Sequence, residues 1–383
     1  METPVSDDRS GHPSALAQVV APDWLRTLGR CAKYLSIRAL VIGLTVCAGV
    51  YAAIWVTNLG GFGDELRKSE IRHGVVMGAL GAGLHVQEMS NEERAEYMEG
   101  LFQAAYRGAD LDQPFILRSF RYFRDAMTLS LGRAPYSRTG RGSDRVVDIL
   151  MQGIPWTLLL FGIANAITFI LSLYLALLLS RKYGSLVDRA ATLLVPALTA
   201  PPWFHGLFLI VVFALLAGLL PFGGIGSSPI PETLVGRLLS LLKHLILPVG
   251  ALVLGTLPYA MYANRALFLI HSTEDYVEMA KAKGLKPSRM RTRYILRPVL
   301  PAIITNFALI SLVSWQAVIL TEHIFNWPGL GELLITSIRA NEVAIFTGAI
   351  TVFAYMIGLT VFFLDIAYVI ADPRVSLGST GRA

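Results

Sequence analysis

Six apolar runs, near residues 40–56, 154–180, 190–220, 245–270, 299–320 and 345–370, constrain this chain more than any other feature. A helix needs roughly 20 apolar residues to cross the hydrocarbon core of a bilayer, and each run meets or approaches that length. Lipid offers no partner to a free backbone N–H or C=O, so runs that cross it must be helical. Composition agrees: 54% of residues are hydrophobic and only 16% charged, too apolar a balance for an ordinary soluble domain of this length. Pro196, Pro201, Pro202, Pro248 and Pro258 fall within the runs. The backbone groups they free must be met by neighbouring helices or must line a cavity, which favours a packed bundle around a pathway over a simple anchor. The expected fold is an all-α integral membrane protein with six transmembrane helices.

Orientation follows from the short loops. Arg26, Arg30, Lys33 and Arg38 precede the first run; Arg181, Lys182 and Arg189 follow the second; Lys281, Lys283, Lys286, Arg289, Arg291, Arg293 and Arg297 lie between the fourth and fifth. With six spans these fall on one side, which the excess of Lys and Arg marks as cytoplasmic, and both termini are then cytoplasmic too. The same loops account for the net charge of +6 without a nucleic-acid partner. Cys31 and Cys47 have neither metal-ligand nor disulfide-framework spacing. The chain divides into a cytoplasmic segment 1–38, a first transmembrane helix 39–57, an extracytoplasmic helical segment 58–149, a five-helix core 150–373 and a cytoplasmic tail 374–383.

Within the extracytoplasmic segment, Ser90 stands three residues before Glu93, a capping-box spacing, and Tyr97, Leu101, Phe102 and Ala105 follow at helical intervals. A second amphipathic stretch, FILRSFRYFRDAMTLSLG, follows Pro114. These predict two surface helices over the external mouth.

The basic stretch of the core, 271–301, predicts a short helix capped by Ser272 or Thr273, with acids in its first turn, bases in its last and Gly284 as its stop. Pro287 and Ser288 then start a second helix leading into the fifth span. Val277, Ala280 and Gly284 share a face small enough for close approach by another protein surface. The physical reading leaves two alternatives: a knob docking on a cytoplasmic partner, or a basic juxtamembrane helix drawn to anionic lipid.

This stretch resembles the EAA motif of the permease subunits of ATP-binding-cassette (ABC) importers. Glu278, Ala280, Gly284, Leu300 and Pro301 take the motif's roles, with Met279 where the family has its first Ala. The segment KHLILPVGALVLGTLPYAMYANRALF, with His244, Leu247, Pro248 and Arg265, is similar to the fourth span of the dipeptide, oligopeptide and nickel permeases. EHIFNWPGLGELLITSI resembles that family's segment after the fifth span, with Trp327, Pro328, Gly329, Leu330 and Gly331. LDIAYVIADPRV, carrying Asp365, Asp372, Pro373 and Arg374, resembles its ending, and LDQPF and SLGRA its external segment. The segment 58–90 departs from the family, replacing a shorter connection.

The resemblance implies a multi-pass permease of the first-subunit type in a prokaryotic plasma (inner) membrane, with a cytoplasmic coupling helix. Its solute is delivered by an extracytoplasmic binding protein and is most often a di- or oligopeptide, with a nickel chelate, glutathione or an oligosaccharide as alternatives. Glu278, Ala280, Gly284 and Pro301 would couple to ATPase subunits, and the turn at Trp327, Pro328, Gly329 and Gly331 would lie externally. A second, homologous permease subunit is also implied. No G-x-x-x-x-G-K-[ST] loop occurs, so ATP would be used by a partner subunit, and this chain is expected to bind no cofactor and to be no enzyme. An ion-driven secondary transporter would need midmembrane charges and often repeated halves, neither evident here. Asp365 is an intramembrane acid whose partner is either a transport site or a neighbouring side chain. His205 is expected to be a satisfied packing residue.

Overall fold

The computed structural model describes residues 23–58, 61–81, 89–134, 137, 139–140, 142–198, 200–227 and 229–371. Asp372, Pro373 and Arg374 and the tail 374–383 lie outside these residues, as does most of the segment 1–38. Among the described residues the regular secondary structure is helical, apart from an isolated bridge between Arg133 and Arg145.

Helix α1 runs Asp23–Asn58. It starts well before the expected boundary at 39, because no proline interrupts the basic stretch and Leu, Arg, Lys and Ala are good helix formers. Its apolar part is Cys31–Asn58. Four further helices are long and apolar enough to cross a membrane: α5 (Val146–Arg181), α8 (Leu234–Ser272), the continuous helix Pro287–Ile324, and α13 (Val343–Ala371).

The expected third span differs from this pattern. Residues 190–220 are covered by α6 (Leu186–Leu198) and α7 (Pro202–Leu209), the latter continuing as a π-helical stretch Ile210–Leu216. Consecutive Pro201 and Pro202 remove two N–H donors and push the preceding residue out of the helical region, so the helix stops and restarts there. By contrast, α8 passes through Pro248 and Pro258 without a break. The N-terminus of α7 packs directly on α8, where a Cβ at Gly255 would sit 2.6 Å from Pro202.

Outside the bundle, α2 (Phe62–Gly81) joins the two expected surface helices, α3 (Asn91–Gly108) and α4 (Phe115–Met127). The capping box forms as the spacing predicts: Glu93 N–H donates to Ser90 Oγ at 3.3 Å, and Ser90 N–H to Glu93 Oε2 at 3.0 Å. The Ser90 hydroxyl, and after it the Ser90 N–H, hold the Glu93 carboxyl below its ordinary range. Arg118 of α4 is buried and closes on Asp64 of α2 with bonds of 2.8 and 2.7 Å, which lashes the two helices together. Tyr51 of α1 meets Phe120 and Phe123 of α4 with ring centroids 5.7 and 5.6 Å apart, seating α4 on α1.

Two apolar clusters form the centre of the bundle. One gathers Leu150, Trp315, Leu330, Ile345 and Phe353, with Trp315 stacked on Phe161 at 3.9 Å. The other gathers Leu160, Leu245, Leu252, Val318 and Trp327. Between helices apolar enough to lie in lipid, such clusters act through close van der Waals packing rather than through removal of apolar surface from water, and they fix how α5, α8 and the later helices pack.

Candidate functional site

Helix α9 (Asp275–Ala282) occupies the basic stretch, with Asp275 and Glu278 in its first turn and Lys281 in its last. Its N-cap is Glu274, which makes no side-chain bond. Ser272 and Thr273, the expected caps, instead donate back to Leu269 O and Ile270 O, finishing α8. The stop at Gly284 holds: its φ is +70°, its N–H donates to Lys281 O, and the Leu285 N–H reaches Ala280 O. This paired closure is the Schellman arrangement, which favours glycine at the left-handed position.

The faces of α9 divide differently from the expectation. Val277 and Ala280 are fully buried, because the helix packs on the π-helical stretch Met290–Leu296 of its own chain. Glu278, Met279, Lys281, Lys283 and Gly284 are exposed, and the Glu278 carboxylate meets no cation among the described residues. The small side chains therefore seat α9, while a charged face with the Gly284 turn is left outward.

From Pro287, helix α10 (Pro287–Arg289), the π-helical stretch and α11 (Arg297–Ile324) run on without interruption, as the restart at Pro287 predicts. Pro298 and Pro301 lack the N–H groups that Tyr294 O and Arg297 O would otherwise accept, and the wide π turns lie directly before them. Pro301 is half-buried in the second turn of α11.

The turn at 327–331 is built inward. Trp327 is fully buried, its Nε1 donating to Trp156 O at 3.0 Å and its ring edge-on to Trp156. Helix α12 (Leu330–Ala340) starts there, and side chains from two other helices meet its free N–H groups: Leu330 N–H donates to Thr157 Oγ1 at 2.8 Å and Gly331 N–H to Glu322 Oε2 at 2.6 Å. A carboxylate at a helix N-terminus is favoured by the helix dipole. Neither Gly329 nor Gly331 has room for a Cβ: one would fall on the Glu322 carboxylate, the other 2.6 Å from Ile319 Cα. The outward residue of the turn is Asn326.

Several polar and charged residues of the bundle find their partners only in the fold. Arg265 of α8 is buried and closes on Asp188 of α6 with two bonds of 2.6 Å, while Gly184 N–H holds Asp188 Oδ2 at 3.0 Å. A polar seam joins α5, α8 and α11: Ser311 donates to Asn165, Thr168 meets Thr256, and Asn264 links Ser172 to Asn306. Only mutual hydrogen bonding makes such groups tolerable between apolar faces. His244 bonds Ser240 O through Nδ1 at 2.7 Å. His205 differs from the expectation, since its buried Nδ1 has no hydrogen-bond partner among the described residues. Asp365 has Arg38 at 3.7 Å, a side-chain neighbour. Among the described residues no cluster suits a metal ion.

Comparison with known proteins bears on this arrangement. The di/tripeptide transport system permease protein DppB of Pseudomonas aeruginosa is 31% identical, over 76% of this chain and 89% of its own length. The dipeptide permease protein DppB of Bacillus subtilis is 28% identical over the same shares. The oligopeptide permease protein AppB of Bacillus subtilis is 28% identical over 60% of this chain and 72% of its own. The family described as binding-protein-dependent transport system inner membrane component matches residues 168–377, which include α6 to α13. The chain belongs to that family.

Proposed function

We propose that this chain is the translocating subunit of an ABC importer that takes up di- or oligopeptides. The observation that carries the substrate class is the similarity to the di/tripeptide permease, which extends through most of both chains. The chain itself catalyses no reaction in this reading. ATP is hydrolysed by partner subunits that grip the outward face of α9, where Glu278, Lys281 and the Gly284 turn are exposed.

Six crossings complete the topology, the third made by α6 and α7 in series. That count puts the bases of the loops at 181–189 and 281–297 on one side, with both termini, in the cytoplasm. A second, homologous permease would complete the pathway, and a binding protein would deliver peptide at the external layer of α2, α3 and α4. Movement of α9, seated through Val277 and Ala280 on the stretch continuous with α11, would then reach the bundle as rigid-body motion.

The test is reconstitution in proteoliposomes with the ATPase subunits, second permease and binding protein of the same system. Peptide-stimulated ATP hydrolysis with uptake of labelled peptide is expected. Uptake that follows a proton gradient and ignores ATP would overturn the reading.

A further inference from the structure

Among the described residues three arginine–aspartate pairs join helices, and one is unlike the others. Arg118 with Asp64 and Arg265 with Asp188 are closed, with bonds between 2.6 and 2.8 Å. Arg38 of α1 and Asp365 of α13 stop at 3.7 Å, Nε to Oδ2, and Asp365 Oδ2 is buried without a hydrogen-bond partner among the described residues. Leaving a buried carboxylate oxygen unbonded is costly, and closing the pair would be the simple remedy.

The open pair borders a cavity of about 380 Å³ between α1, α11 and α13. Arg38 and Asp365 supply its charged groups, with Tyr34, Thr305 and Tyr368 beside them, while Ala308, Leu312 and Val361 contribute to an apolar wall. Arg38 spends its Nε on the Tyr34 hydroxyl at 3.1 Å. Its four remaining N–H donors have no protein partner among the described residues. Asp365 lies six residues before Ala371, the end of α13, and Arg38 seven after Cys31, where the apolar part of α1 begins. At 1.5 Å per residue both are about 10 Å inside those points, so the pair lies within the apolar length of both helices.

We infer that this cavity holds the headgroup of an aminophospholipid. The phosphate accepts from the free guanidinium donors of Arg38, and the ammonium donates to Asp365 Oδ2. The acyl chains follow the wall formed by Ala308, Leu312 and Val361. An anionic headgroup lacking an amine would leave Asp365 facing negative charge, and a choline headgroup has no N–H to give. Lipid with a primary amine is the one common membrane chemistry that satisfies both side chains.

The test is native mass spectrometry of the full-length chain after exchange into an equimolar mixture of phosphatidylethanolamine, phosphatidylcholine and phosphatidylglycerol. Retention of the ethanolamine lipid over the choline lipid by roughly tenfold is expected, the scale of a charge-assisted hydrogen bond. Asp365→Asn should bring that ratio close to one while glycerol lipid is still retained, and Arg38→Gln should lower retention of all three. Wild-type retention in the proportions supplied would overturn the inference, as would an ethanolamine preference that survives Asp365→Asn. Should a variant fail to fold, the comparison between ethanolamine and choline lipids on the wild-type chain decides alone, since the two differ only in methylation of the amine.

Discussion

Two glycines of the 327–331 turn show how single residues hold this bundle. Gly329 and Gly331 are there because Glu322 and the α11 backbone fill the space where a side chain would go. Gly331→Ala should therefore destabilise the chain by about 1–3 kcal/mol, the range for forcing extra volume into a packed site. Gly162→Ala, where nothing lies within 4 Å, is the control. Thermal unfolding in detergent should show a lowered midpoint for the first and no loss for the second. Asp188→Asn tests the buried pair in the same assay: it leaves the Arg265 guanidinium uncompensated, a change worth roughly 3–5 kcal/mol. Neither role was legible in the sequence. Glu322 stands at the end of an apolar run, where an acid looks like the start of an external loop, and only the return of α12 gives it something to cap. Asp188 and Arg265 are 77 positions apart, and no periodicity links them.

At the scale of elements, local chemistry was readable wherever it acted within one turn. The capping box of α3 and the Gly284 stop of α9 depend on partners three to five residues away, and both form as spacing predicts. Because the Ser90 bonds depress Glu93 in the folded state, the contribution of that carboxylate to α3 is present above its unfolded value and is lost as pH falls through the folded one. Amide exchange over residues 91–95, corrected for its intrinsic pH dependence, should accelerate below the ordinary carboxylate range, and Ser90→Ala should remove that pH dependence. The inward face of α9 was not legible, since small residues suit a foreign surface and the chain's own next helix equally well. Gly284→Asp separates seat from contact. It should strain the turn by about 1–2 kcal/mol at most, and in the reconstituted importer it should abolish peptide-stimulated ATP hydrolysis while the chain still inserts. Undiminished stimulation would remove the docking role of this turn.

For the whole molecule, hydropathy found the five described helices long and apolar enough to cross a membrane, but could not foresee α2 or how the third run is built. Counting apolar residues from 190 to 220 registers one continuous segment; the consecutive prolines at 201 and 202 make it two. The crossing number matters because it sets which side each loop occupies. With Cys31 and Cys47 replaced, a cysteine at Ser288 should react with a membrane-impermeant maleimide only from the cytoplasmic side, and one at Ser227 only from outside. Labelling of both from one side would mean that α6 and α7 do not together cross the bilayer. The π-helical stretch ahead of α11 has a further consequence. In an ordinary helix, deleting one residue turns everything beyond it by about 100°, which would aim the apolar stripe of α11 away from α5 and α8. A wide turn already contains a surplus residue, so a deletion between 290 and 296 can be absorbed by relaxing to regular geometry, with the phase of the following span preserved. Length variation among related chains would then be tolerated at this place and penalised a few residues later.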